Sequence, residues 1–279
     1  MLIARLTAET SRIRLGSGGV MLPHYSPYKV AEQFRMLHAL APDRIDLGVG
    51  RAPGGGPLSS FALRRERTDS PFPDDFPDQL VELLGFLHRE FHANHPFSRL
   101  KVTPDMPGGP TVWLLGSSPW SAHAAAELGL PYAFAHFIAP EPAAAALEYY
   151  RAHFKPSRYL SAPQAIVAVS AVCAESDAEA LRLASSVRLV RRRIRSGEKG
   201  LVPSVDEALR ELGPAAFESR ADDGTLPSLF IGSPETLRRQ LTLMARNWRL
   251  DEVMVVTIMH EHHARMQSYE LLAGALAIG

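Results

Sequence analysis

Arg51, and the glycines that precede it, are the residues whose types and spacing most directly suggest chemistry in this sequence. Arg51 follows the apolar run Ile45 to Val49 and Gly50. A guanidinium at that place could meet a phosphate or carboxylate. Gly16, Gly18 and Gly19 fall within four residues at the end of an earlier apolar run, Ile13 to Val20. Such a cluster permits close backbone approach to something flat, or an unusual peptide geometry. A tight turn plus a surface arginine accounts for the same residues equally well. A third group, Gly116-Ser117-Ser118 with Ser121, brackets a proline at position 119. Proline in a first helical turn places Ser118 as cap, with Ser117 and Ser121 beside the same helix start. Free N–H groups, hydroxyls and the positive dipole end suit a phosphate there, and capping alone explains one serine rather than three.

These residues need elements to hold them. Between the two apolar runs, Val30, Phe34, Leu37 and Leu40 repeat at helical spacing. Strand, helix and strand within about 40 residues make a parallel βαβ unit with a right-handed crossover. Both strands end in glycine, on the side where α/β folds bind ligands. Six strands are expected, at 13–20, 45–49, 111–115, 132–138, 165–174 and 252–258. Helices are expected at 78–91, 119–128, 141–154, 177–194, 234–248 and 264–277. Residues 1–10 read as the tail of an amphipathic helix with Leu2 and Leu6 on its apolar face. Strand–helix alternation to the end gives an α/β fold with a parallel sheet. A closed (β/α)₈ barrel needs eight strands, so six leave either an open doubly wound sheet or a barrel short of two. The absence of a GxGxxG fingerprint weighs against a dinucleotide-binding sheet.

Composition narrows the function classes. The 279 residues are 46% hydrophobic and 22% charged, with a net charge of zero, so nothing electrostatic points to nucleic acid or a membrane surface. Cys173 is the single cysteine, which excludes an internal disulfide and fits a reducing, cytoplasmic setting. Its place in an apolar run makes it a buried strand residue. The arginine-rich end of the 177–194 helix (Arg188, Arg191, Arg192, Arg193, Arg195) reads as solvated surface. So does the cluster Arg64, Arg65 and Arg67, with anion contact as the sharper alternative. His260, His262 and His263 have metal-like spacing, but no matching set of ligands occurs elsewhere, and no metal is expected.

Beyond this the chain resembles a known family. GSGGVMLPHYSPYKVAEQF…LAPDRIDLGVGRAPG is similar to the bacterial luciferase-like flavin monooxygenases. So are DDFPDQLVELLGFL, LLGSSPWSAHAAAELGLPYAFAHF and FIGSPETLRRQL…DEVMVVTIMHEHHARMQSYELLA. The likeness runs over nearly the whole chain. It implies a single domain over 1–279, a luciferase-like (β/α)₈ TIM barrel with six of its eight parallel strands present. Loop 52–77 and a helical insertion at 177–230 would shape the substrate pocket. It further implies reduced FMN, or a deazaflavin coenzyme in its place, with O₂ oxidising a small organic substrate. A flavin reductase partner and a homodimer are implied as well.

The resemblance assigns cofactor contacts to Gly18, Gly19, Arg51, Gly116, Ser117, Ser118 and Ser121. Gly18-Gly19 matches a pair that in the family is often joined by a cis peptide. Arg51 and the serine turn match phosphate contacts. Catalytic acid and base are unassigned. His24, just past the first strand, and His136, at the end of the fourth and pointing to the mouth, are the weak candidates. The family begins with two further βα units, about 60 residues, ahead of the position of Met1. The expectation is therefore a truncated or mis-started form, with open sheet edges prone to poor solubility, rearrangement or capping by a dimer partner. The alternative readings are a non-catalytic flavin-binding remnant and a deazaflavin-dependent hydride-transfer enzyme.

Overall fold

The computed structural model describes residues 1–63, 75–198, 200–217, 226–250 and 252–277. Their elements run α1 (Leu2–Glu9), β1 (Leu15–Met21), α2 (Pro27–Leu40), β2 (Ile45–Gly50), α3 (Pro57–Leu63), α4 (Phe76–His88), β3 (Thr111–Gly116), α5 (Pro119–Leu128), β4 (Tyr132–Ala135), α6 (Ala143–His153), β5 (Ala165–Cys173), α7 (Asp177–Arg195), α8 (Val205–Leu212), β6 (Leu229–Gly232), α9 (Pro234–Trp248), β7 (Glu252–Val256) and α10 (His262–Ala275). Hydrogen bonding orders the strands β1-β2-β3-β4-β5-β6, with β7 joined to β5. All six expected strands are present. The addition is β6, four residues lying where the sequence reads as the approach to a helix.

The chain divides into two compact units. The first comprises 1–116, 123–132 and 153–164. Here β1, β2 and β3 pair in parallel, Leu15 opposite Ile45 and Leu47 opposite Val112. Ile45, Leu47, Val49 and Leu114 are buried among them, and Phe76, Leu80, Leu83 and Leu87 bury one side of α4. Leu80, Leu84 and Leu87 line that helix as their spacing requires, but α4 stops at His88, so Phe91 leaves it and stacks on His95. In α2 the buried stripe is Val30, Ala31, Phe34, Arg35 and His38, whereas Leu40 is exposed. The inward face is thus turned towards a cation and an imidazole, away from the leucines. The α1 expectation is reversed in the same way. Leu2 and Leu6 are exposed and Thr7 is the buried residue, its hydroxyl donating to the Ala4 carbonyl at 2.7 Å.

The second unit comprises 117–122, 133–152 and 165–279. Its spine is β5. β6 pairs with Ser170–Cys173, and β7 pairs with Ile166–Ser170, both in parallel. Val167, Val169, Val172, Leu189, Phe230, Leu237 and Met244 are buried here. The arginine-rich end of α7 is not simply solvated. Arg193 bridges Glu207 at 2.8 Å and Glu211 at 2.6 Å, and Arg192 reaches Glu211 at 2.6 Å, so α8 is pinned alongside α7. Cys173 is buried as its setting predicts, and burial pushes its thiol up to about 11. No described helix is long and apolar enough to cross a membrane. Arg64, Arg65 and Arg67 lie outside the described residues.

Candidate active site

The end of β1 is shaped by glycine. A Cβ on Gly16 would strike Asp46, one on Gly48 would strike the Ser17 carbonyl, and one on Gly19 would lie 2.8 Å from the Gly48 carbonyl oxygen. These three exist so that β1 and β2 can close on each other. Gly18 differs, because a Cβ there would meet nothing within 4 Å. The Gly18–Gly19 peptide is cis, and the β1–β2 register slips between Gly18 and Val20, a bulge that leaves Gly19 without a partner residue. Bulges at strand ends re-aim the chain beside active sites. Here the bulge presents a bare stretch of backbone, with no side chain at Gly18 above it.

The loop after β2 is fastened to this strand end. His24 Nε2 donates to the Pro53 carbonyl at 2.6 Å, which sets the ring's tautomer. Gly54 takes a φ of +56° hard against the Met21 sulfur, where a side chain would clash. Arg51 is exposed just past β2. The following α3 buries none of its residues, and leaves Leu58, Phe61 and Leu63 open to solvent. Loop 52–77 therefore begins as an anchored turn and continues as a short apolar helix.

Gly116 closes β3, and the turn Ser117-Ser118 leads into α5, which starts at Pro119 as its sequence requires. The Ser117 and Ser118 hydroxyls make no hydrogen bond to any described residue. Ser121 is buried, and its hydroxyl donates to the Ser118 carbonyl at 2.7 Å. It ties the turn together from beneath. Two idle hydroxyls at the N-terminus of a ten-residue helix form a good anion seat.

His136 does not point to a mouth. The strand ends at Ala135, and the turn that follows buries the imidazole completely, 6.0 Å from the Phe230 ring and 5.6 Å from the Trp248 ring. Neither ring nitrogen has a hydrogen-bond partner among the described residues. Burial pushes the group down to about 4, against a small opposing pull from Glu141. A base aimed at substrate needs access, and this one has none. Of the other histidines, His260 Nδ1 bonds the Val202 carbonyl at 2.8 Å. Among the described residues no three metal-capable side chains converge. A cavity in the second unit, about 510 Å³, is lined by Leu241, Ala245, Leu250, Val253 and Val255, and no site candidate lines it.

Comparison with known proteins places this geometry. The profile of the luciferase-like monooxygenases matches residues 1–251. The chain belongs to this family. A luciferase-like monooxygenase of Escherichia coli K12 is 38% identical over 271 residues, covering 97% of this chain and 79% of its own. The crystal structure of apo-MsnO8 is 46% identical with a TM-score of 0.87, over 100% of this chain and 82% of that one. At the level of fold alone, two distant structures also match. The oxygenating constituent of 3,6-diketocamphane monooxygenase in complex with FMN has 19% identity and a TM-score of 0.67, over 99% and 82% of the two chains. An F420-dependent secondary alcohol dehydrogenase has 11% identity and a TM-score of 0.62, over 98% and 82%. The luciferase-like α/β fold assigned from sequence is thereby established, with seven described strands where six were expected, and with it a general monooxygenase class.

Proposed function

We propose that this luciferase-like monooxygenase binds reduced FMN and uses O₂ to oxidise a small, largely apolar organic molecule. The observation that carries the reading is Gly18, where a strand end offers bare backbone and room for a planar ring. The residues fit the group in three places. Gly18-Gly19 seats the ring system. The Ser117 and Ser118 hydroxyls, with the first N–H groups of α5, take the phosphate. Arg51, exposed just past β2 in the first unit, offers a cation to an anionic group of the cofactor. When bound, reduced flavin supplies the electrons that activate oxygen; a deazaflavin would instead deliver hydride without oxygen. The chain itself binds, orients and excludes water. Ser121 holds the serine turn, and His24 holds the loop that leads to α3. Leu58, Phe61 and Leu63 of α3 give the substrate side an apolar cover, a lid of the kind that sequesters reactive chemistry. No described side chain is assigned as acid or base. A flavin reductase would supply the reduced cofactor, and a homodimer is the assembly proposed.

The test is titration with FMN, reduced FMN and the deazaflavin coenzyme, followed by fluorescence. The chain should prefer reduced FMN. Gly18→Val should abolish binding by filling the ring's space, and Arg51→Ala should weaken it about tenfold, as loss of one charge-assisted contact does. Preference for the deazaflavin would replace FMN in this reading. Flavin binding without oxygen uptake across a panel of apolar thioethers, aldehydes and ketones would favour the non-catalytic binder. Undiminished affinity in Gly18→Val would overturn the site.

A further inference from the structure

A second pocket lies wholly within the first unit. It has a volume of about 330 Å³ and is lined by Arg35, Leu87, His88, Arg89, Gly108, Gly109 and Arg158. Three guanidiniums and an imidazole thus surround one small space. We propose that it binds a small oxyanion, a phosphoryl or carboxylate group, independently of the flavin reading.

Among the described residues, one of the pocket's three guanidiniums is left without a carboxylate. Arg89 pairs with Asp105, and Arg158 Nε pairs with Glu90 at 3.0 Å. Arg35 is buried and pairs with no carboxylate of a described residue. Its guanidinium donates only to carbonyls, to Pro104 at 3.0 Å, Leu87 at 3.0 Å, Gly108 at 3.1 Å and Met106 at 2.5 Å. Three cations therefore face two anions. The surplus is felt nearby. Arg35 is held down by burial and then by Arg89; His88 is held down by burial and further by Arg158 and Arg35, against an upward pull from Glu90. An anion in the pocket relieves that repulsion.

Donors are also to spare. The carbonyl bonds explain why Arg35 is buried: it caps the end of α4 and fastens the 104–108 loop. They leave the other side chains unaccounted for. His88 touches Tyr159 ring to ring at 4.7 Å, yet neither of its nitrogens bonds a described residue. The two terminal amino groups of Arg158 donate to no described residue, while Glu90 lies against its Nε and is also held by the Tyr159 hydroxyl. An Arg fork with both amino groups available suits a bidentate oxyanion. The floor is Gly109, where a Cβ would come no nearer than 3.9 Å to Arg35 Nη1 and to the His88 ring. The volume sits at the lower end for small-molecule sites.

Thermal unfolding at constant ionic strength tests this, with inorganic phosphate, malonate or chloride as the varied anion. A saturable rise in Tm of several degrees is expected with phosphate, malonate or both, and none with chloride. Which of the two acts tells the phosphoryl from the carboxylate source. Arg158→Gln should shift the midpoint at least fivefold. Gly109→Asp, which places a carboxylate beside Arg35, should raise Tm without added anion and remove the response. A Ser117→Ala/Ser118→Ala background should leave the response intact, which separates this pocket from the flavin phosphate seat. Equal Tm in all three anions would overturn the proposal. So would a response unchanged in Arg158→Gln, whose mostly exposed side chain makes that variant safe to fold should Gly109→Asp fail.

Discussion

At the scale of single residues, Gly18 and His136 show how the same sequence evidence can lead two ways. Gly18 was legible because glycine leaves few explanations: either the backbone needs freedom or something must come close. Four glycines near the β1–β2 seam remove clashes or free the surface, and only the three-dimensional arrangement tells which does which. His136 lies away from the expected mouth because a strand ending at Ala135 instead of Ile138 turns the next side chain under Phe230 and Trp248. The consequence is a pH dependence of stability. Its folded value of about 4 lies below the 6.5 of a free imidazole. Above pH 6.5 both states are neutral and the group has no effect. As pH falls from 6.5 to 4 the unfolded chain takes up the proton first, so stability drops by about 3 kcal/mol, then levels off. His136→Phe should flatten that segment of a urea-denaturation pH series. It should also stabilise the neutral-pH protein by about 1 kcal/mol, since two unbonded buried nitrogens are removed. Unchanged flavin oxidation kinetics in this variant would confirm that the ring has no part in chemistry. Arg35 is the opposite case. A cation on a helix's buried stripe gives no sequence signal when its partners are the carbonyls of a proline- and glycine-rich loop.

At the scale of elements, boundaries set by proline were legible and short strands were not. Pro119 and Pro234 fix the starts of α5 and α9 where their sequence places them. β6 is only four residues long and runs into Gly-Ser-Pro-Glu, which signals a helix so strongly that it hides the strand. The start of α9 also carries a device with a measurable worth. Asp177, the first residue of α7, accepts the Ser233 N–H at 2.6 Å and the Thr236 hydroxyl at 3.1 Å, while Ser233 itself caps Thr236. A carboxylate from the first turn of α7 therefore fastens the N-terminus of α9, and these bonds hold it below the usual carboxylate range. Asp177→Ala should cost about 1–2 kcal/mol, the range of a lost cap, in urea-denaturation free energy. Asp177→Asn should recover part of that. An effect below about 0.3 kcal/mol would mean that water replaces the carboxylate freely.

For the whole molecule, the strand–helix alternation was enough to read the fold class, because two periodicities repeat from β1 to α10. The residues that finish a site were less legible, because they are supplied by turns whose direction no periodicity encodes. One feature of the second unit extends this to exchange behaviour. Besides its pairing with β4, β5 offers Ile166–Ser170 to β7 and Ser170–Cys173 to β6, so these two neighbours share a nine-residue strand end to end, and Ser170 alone belongs to both registers. The β7 half joins the strand to the final βα unit; the β6 half joins it to the insertion carried by α7 and α8. Amide deuterium uptake should therefore divide at Ser170. The amides that pair with β7 should exchange only with global unfolding, and those that pair with β6 should exchange earlier, whenever the insertion lifts. Uniform protection along all nine residues would show that insertion and strand open together. A divided profile would make the insertion a detachable module, able to lengthen, shorten or change partner without disturbing the register beneath it.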